Sequence, residues 1–496
     1  MKLNRHTYIL ALAGFSLTMA GCKKYLEQTP DLRTQLNSTE KVAQLLVSAY
    51  PKAEYLSFTE NASDNSEDKG PRTDYRSNSA SDSWEAAYFW KDFENGGNQP
   101  GTTDNYWNEC YLAIAAANNA LKYIETKPND PTLIPYKGEA LVARAYAHFM
   151  LVSLYAKTYE IGGTNNSAGI PYVTKPETVV SGKYERGTVA GTYALIEKDL
   201  TEGMPLIKNS AYKVPKYHFT QAATNAFAAR FYLFKGDYPK VIQYAGSVFP
   251  NLDVFKANLR PWNTTYARLV PAEFVKMFTE STQNSNLLMG EANSVWGRAS
   301  NIRYGLGLTI INGEVNGPNI TGGNFAYRQF YVDPFYSLGK WKELFFESQI
   351  GSGFGQPYVM VPLFTTDELL MNRAEAYASS NQPDLALADI NAFLSTKITN
   401  YNPSLHSVTL DDIKDYYQIA DVKEGLIKTI LDLKKVEFVT EGLRWFDLNR
   451  HKLTVKHLIK DVNNNKTYIE LKADDPRRVF QLPKPVVKAG LELNPR

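Results

Sequence analysis

A chain of 496 residues with 44% hydrophobic and 21% charged side chains can bury more than one compact core normally holds. Its formal charge is only +2, from 54 Lys+Arg against 52 Asp+Glu, which excludes a surface dominated by nucleic-acid binding. Two cysteines, Cys22 and Cys110, exclude a disulfide scaffold and a multi-cysteine metal centre, while tyrosine (32) outnumbers glycine (31).

Lys2 and Arg5 precede an apolar or small run from Tyr8 to Ala20. A short basic stretch before about 7–15 apolar residues is a secretory signal, too short to cross a bilayer. The run closes on Met19-Ala20-Gly21-Cys22, which resembles a bacterial lipoprotein signal with Met19 in the place usually held by Leu. Residues 1–21 are therefore expected to be a signal peptide, with Cys22 lipidated (a palmitate-bearing cysteine) at the head of a mature unit of residues 22–496. No later stretch approaches about 18 apolar residues, so the chain is expected to be anchored and not to span.

The body reads as helices. Ser38 caps a helix over Thr39–Tyr50, and from Asp104 the residues Trp107, Tyr111, Ile114, Asn118 and Leu121 recur at steps of three and four. Cys110 falls in this run as a buried thiol. Lys137–Tyr155 repeats the pattern, and Thr188–Leu206 adds a further helix. Thr220–Lys235 is Ala-rich and stops at Gly236, after which Asp237 and Pro239 start the next helix. Thr365 and Glu368 have capping-box spacing for a helix to Ser379, and Pro383 leads its partner to Leu394. The stretch Ala228–Pro239 parallels Asn372–Pro383: small residues, a tight turn, then a Pro-started helix. Such pairs are tetratricopeptide-like, and scattered as they are they predict a superhelical scaffold without a regular period.

Two long segments break the pattern. Phe58–Thr103 is rich in Ser, Asn, Asp and Gly yet holds Tyr75, Trp84, Tyr88 and Trp90, and Pro250–Pro362 mixes Gly and Asn with Trp262, Trp296, Tyr304 and Tyr327. Insertions of this length are usually functional. The predicted class is mainly α: a helical scaffold from about 39–57, 104–250 and 363–460, with an irregular loop-rich lobe from about 58–103 and 251–362.

Several segments resemble the SusD/RagB family of nutrient-binding surface lipoproteins of Bacteroidota. They are Cys22-Lys-Lys-Tyr-Leu-Glu-Gln-Thr-Pro30, Gly138–Phe149 around Arg144, Arg373-Ala-Glu-Ala-Tyr377, Glu437-Phe-Val-Thr-Glu-Gly-Leu-Arg-Trp-Phe-Asp-Leu448, Pro483 and the closing Asn494-Pro495. One departure is Leu433-Lys434, where the family usually has Glu-Arg. The resemblance implies tetratricopeptide-like pairs supporting an irregular lobe that carries the ligand site. It also implies a partner, a SusC-like TonB-dependent outer-membrane barrel that the protein caps. Lys23-Lys24 lacks the acidic residues often linked to surface export, but the resemblance favours the outer face. Independently, Glu437, Glu441 and Arg444 stand three and four apart, which predicts charge pairing along one helix face.

No motif supports an enzyme. The six histidines (His6, His148, His218, His406, His451, His457) include no i, i+4 pair around a Glu, so no metal is expected. His148 reads as a satisfied core histidine, and His451 and His457 as flanking a polar helix end. Asp461-Val-Asn-Asn-Asn465 imitates a calcium loop but has Lys472 at the twelfth position, so it reads as a turn between strands. Gly351-Ser-Gly-Phe-Gly355 lacks nucleotide-binding spacing, no nucleophile elbow occurs, and no catalytic residue or cofactor is expected.

Sugar rings stack their C–H faces on aromatics and need polar partners for their hydroxyls. Asp68, Arg72, Trp84 and Tyr88 in one insertion, and Asn293, Trp296, Arg298, Arg303, Tyr304 and Tyr327 in the other, have that composition. The competing role for each ring is packing inside the lobe, as expected for Trp107 and Trp445 in helices. The expected function is non-catalytic binding of a glycan or other oligomeric nutrient and its delivery to the barrel. The alternatives are a peptide ligand within the same family, or a tetratricopeptide scaffold for envelope assembly.

Overall fold

Helix ends in this chain are set by short cap signals. The computed structural model describes residues 36–75, 79–93, 98–178, 182–295, 302–332 and 335–496, so the expected signal and Cys22 lie outside the described residues. The first half is helical: α1 (Thr39–Leu46), α2 (Leu56–Ala62), α3 (Ser79–Tyr88), α4 (Thr103–Glu125), α5 (Ile134–Tyr155) and α6 (Val189–Gly203). Ser38 Oγ accepts the Lys41 N–H at 3.3 Å, as its cap position requires. Helix α7 (Gln221–Lys235) starts under Thr220 and stops at Gly236, whose φ of 79° suits glycine. A Cβ there would also lie 2.7 Å from the Ile161 side chain. Asp237 then caps α8 (Tyr238–Val248), which packs back on α7.

Two short helices, α9 (Leu252–Ala257) and α10 (Pro271–Phe278), precede the second helical pair, α11 (Thr366–Ser379) and α12 (Pro383–Leu394). Thr365 caps α11 through the Glu368 N–H at 3.2 Å. The expected capping box is only half made, because the Glu368 carboxylate forks onto Arg230 of α7 at 2.5 and 2.6 Å. The chain finishes with α13 (Leu410–Tyr417), α14 (Val422–Glu437) and α15 (Arg444–Arg450).

Buried arginine–carboxylate forks tie neighbouring helices together. Arg144 of α5 grips Asp199 of α6 at 2.7 Å through both nitrogens, and Arg373 of α11 grips Asp389 of α12 at 2.9 and 2.7 Å. Arg450 of α15 holds Glu375 of α11 at 2.8 and 2.9 Å. The planar guanidinium matches a carboxylate at two points, so each fork fixes a helix crossing as well as a distance. Around them the main core packs Cys110, which is fully buried, with the Ala-rich faces of α4, α5 and α7.

The two inserted segments are more ordered than their composition predicts. They supply β1 (Glu67–Asp68), β2 (Asn286–Asn293), β3 (Tyr304–Gly305), β4 (Phe330–Val332), β5 (Phe335–Ser337), β6 (Glu343–Glu347) and β7 (Gly355–Thr365). β2, β7 and β6 form an antiparallel sheet in that order, with 348–354 joining β6 to β7. A second core gathers Trp262, Tyr266, Phe274, Phe278, Leu306 and Tyr327 against Val436 and Val439. Past α15, β8 (Val455–Lys460) and β9 (Lys466–Leu471) make a hairpin whose turn is the Asp461–Asn465 segment, as expected.

One expectation fails on the Glu437–Leu448 segment. α14 ends at Glu437, and the chain turns through Thr440 (φ 68°) and Gly442 (φ 71°) before α15 begins. Gly442 lies where a Cβ would sit 2.4 Å from Thr59 Oγ1, so the turn is pressed against α2. Glu437 and Glu441 both hold Arg260, while Arg444 forks onto Asp64 at 2.8 and 2.9 Å. The spacing implied one helix face; the broken helix sends the charges to different partners.

Candidate functional site

The two insertions meet at β1 and β3, paired antiparallel with Asp68 opposite Tyr304. Asp68 is fully buried, and its carboxylate accepts the Gly70 N–H at 2.9 Å and the Lys460 N–H at 2.8 Å. Arg303 forks onto it at 2.7 and 2.8 Å and also donates to the Lys460 carbonyl at 2.6 Å. One carboxylate thereby joins both insertions to the β8–β9 hairpin. Asp68→Ala should cost about 3 kcal/mol of stability by leaving Arg303 uncompensated, measured as a fall in the urea midpoint.

Above this junction lies a cleft of about 250 Å³ lined by Pro71, Arg72, Tyr75, Ser81, Asp82, Glu85, Ile302, Arg303 and Tyr304. The lining carries charges of both signs, Arg72 and Arg303 with Asp82 and Glu85. Arg72 also forks onto Asp74 at 2.9 and 3.0 Å, which presents its guanidinium in a fixed plane. The Tyr75 hydroxyl is enclosed and has no hydrogen-bond partner among the described residues; burial pushes its pKa up to about 12. At neutral pH it is therefore an un-ionised hydroxyl, able to donate.

Beneath the cleft the rings form a column. Tyr304 lies 4.6 Å from Tyr88, Tyr88 stacks on His457 at 4.1 Å and 11°, and His457 stacks on Trp90 at 4.5 Å and 19°. Tyr88 Oη donates to the Leu458 carbonyl at 2.5 Å and Trp90 Nε1 to the Ala62 carbonyl at 2.9 Å. Trp90 takes a left-handed φ of 53°, a strain of about 1 kcal/mol held by these contacts.

Two family models match the chain in succession. One, described as starch-binding and associating with the outer membrane (SusD-like), covers residues 24–233; the other, the SusD family, covers 329–484. The chain belongs to the SusD/RagB family. Among solved structures, a candidate sugar-binding protein of Bacteroides vulgatus superposes with a TM-score of 0.67 at 17% identity, covering 93% of this chain and 99% of its own. A SusD superfamily protein of Bacteroides fragilis gives 0.66 at 16%, covering 92% and 98%, and one of Bacteroides thetaiotaomicron 0.62 at 16%, covering 93% and 100%. These likenesses establish the mainly helical fold. No curated protein matches the chain.

In this SusD/RagB chain the ten ligand-contact expectations divide. Arg72, Arg303 and Tyr304 line the cleft. Asp68 and Tyr88 are fully buried and are not among the residues lining the cleft. Trp84 is buried on α3 with 3% exposure, and its removal would be a packing loss. Asn293 sits at the end of β2, reaching the Lys52 carbonyl at 3.5 Å, and is not part of the cleft lining. Tyr327 is a correction: its ring packs at 4.9 Å against Trp262 in the second core, and its hydroxyl donates to Glu437 at 2.9 Å. Trp296 and Arg298 lie outside the described residues.

Tyr75, Asp82 and Glu85 were not among those expectations. Asp82 and Glu85 stand three apart on α3, a spacing that could have flagged one helix face. His457 was also misplaced: it sits inside β8, fully buried, and not at a helix end.

Proposed function

We propose that this protein is a non-catalytic binder of a glycan or other oligomeric nutrient, tethered to the outer membrane through Cys22 and facing outward, that delivers its ligand to a SusC-like TonB-dependent transporter. The observation that carries this reading is the cleft at the meeting of the two insertions. Its lining of both charge signs, a tyrosine hydroxyl without a partner among the described residues and a tyrosine ring braced from below suit a neutral, many-hydroxyl ligand. A strongly charged ligand would meet like charge in that lining.

Calorimetry against a panel of soluble oligosaccharides and peptides tests it. A binding glycan should lose about 1 kcal/mol of affinity in Tyr75→Phe, which removes only the hydroxyl. Arg72→Ala should lose about 1–2 kcal/mol. Unchanged affinity in both variants would take the cleft out of recognition. Binding confined to peptides would select the peptide-importing alternative. Failure of every ligand, with co-purification of envelope proteins, would favour the scaffold reading, and released products would overturn the non-catalytic one.

A further inference from the structure

His457 is closed in on all sides by groups that pose it a chemical problem. Its Nδ1 lies 2.6 Å from the Tyr88 carbonyl oxygen and its Nε2 2.8 Å from the Ser63 carbonyl oxygen. Both oxygens can only accept, so both contacts are hydrogen bonds only when the ring carries N–H on both nitrogens. A neutral imidazole has one N–H and turns a lone pair on the other carbonyl at hydrogen-bond distance. The faces of the ring are covered by Tyr88 and Trp90, whose π-systems favour a cation.

Among the described residues no carboxylate is bonded to this ring, and the nearby ones are committed elsewhere. Asp64 is forked by Arg444 and faced by Lys435 at 3.6 Å. Asp68 is held by Arg303, and Glu67 accepts the Thr309 N–H. On the hairpin, Lys456 pairs with Glu470; behind Trp90, Arg477 stands 5.9 Å from the ring and pairs with Asp475. Burial draws the proton affinity of His457 below the ordinary histidine value of 6.5, opposed by the two carbonyls and Asp64. The ring therefore takes up its second proton less readily than a free histidine, and in the neutral form one of the two carbonyl contacts is lost.

We propose that His457 is a positioning residue for the cleft: the imidazolium form holds the stacked Tyr88 in place beneath Tyr304, and the neutral form releases that hold. Proton uptake then tightens the cleft, and by reciprocity a bound ligand raises the proton affinity of His457. The affinity consequence rests on the cleft being the binding site; the protonation and ring coupling do not.

Nitrogen NMR of the histidine side chains, with His457 assigned by its absence in His457→Phe, separates the two. As the pH falls from 8 to the lowest value at which the protein stays folded, the ring should pass from one protonated nitrogen to two, and the Tyr304 ring signals should shift with the same midpoint. A ring that keeps one protonated nitrogen throughout, or Tyr304 signals that ignore its titration, would overturn the proposal. Calorimetry with maltoheptaose should show roughly tenfold tighter binding at pH 5.5 than at pH 7.5 in the wild type, and a flat profile in His457→Phe. Equal pH dependence in both would also overturn it. Absence of maltoheptaose binding at any pH counts against the starch-type ligand, and the NMR titration still decides the role of His457.

Discussion

Glu437→Ala should destabilise the protein by about 4 kcal/mol, measured by urea unfolding at neutral pH. Three cations (Arg260, Lys340, Lys397) and three carboxylates (Asp367, Glu437, Glu441) form one buried cluster without net charge. Glu437 accepts from Arg260 at 2.9 Å, from Trp262 Nε1 at 3.2 Å and from Tyr327 Oη at 2.9 Å, and Lys397 stands 3.7 Å away. Burial alone would raise its pKa, but Lys397, Arg260 and Lys340 outweigh burial and hold the carboxyl below its usual range. Alanine leaves a buried positive charge in excess and strands the indole and phenol donors of the second core. Removing one member of such a cluster costs far more than the cluster contributes over an apolar filling. Glu437→Gln keeps the volume and one acceptor, so its loss should be roughly half as large. Equal losses in the two variants would show that volume, not charge, is what Glu437 supplies.

This cluster also explains what could and could not be seen in the sequence. Helix boundaries depend on residues within one turn, and Thr220, Gly236, Asp237 and Thr365 act where local chemistry places them. Arg144, Arg373 and Glu437 stood out as parts of segments resembling a family. Their partners Asp199, Asp389 and Arg260 lie on other elements, and no periodicity links them. The location of the cleft was legible in the composition of the two insertions; the roles of their rings were not. Whether Tyr88 meets ligand or protein is decided by β1–β3 pairing and by a hairpin some 370 residues further along the chain. Tyr75 and Tyr88 belong to the same insertion, yet one lines the cleft and the other lies under it.

A second large effect concerns acid. His148 of α5 is fully buried, with Nδ1 2.9 Å from the Arg144 carbonyl and Nε2 accepting the Val173 N–H at 3.0 Å. The ring is therefore neutral with its proton on Nδ1, and it stacks on Tyr172 at 3.8 Å. This contrasts with His457, where both nitrogens face acceptors. Burial, with the Arg144 charge beside it, lowers the His148 pKa from 6.5 to about 3, against the pull of the Arg144 carbonyl. The folded-state pKa is depressed, so above pH 6.5 the ring is neutral in both states and its contribution to stability is fully present. Below that pH the unfolded chain takes up a proton that the folded chain refuses, and stability falls until about pH 3. The full loss is about 5 kcal/mol, and roughly half of it should be reached near pH 4.5. In His148→Gln the amide oxygen can accept the Val173 N–H without titrating. The difference between wild-type and variant urea stabilities should therefore shift in favour of the variant as pH drops from 7.5 to 4.5, because carboxylate contributions are common to both. A difference that stays constant over that range would mean that His148 takes up its proton in the folded state, with Val173 released from its ring.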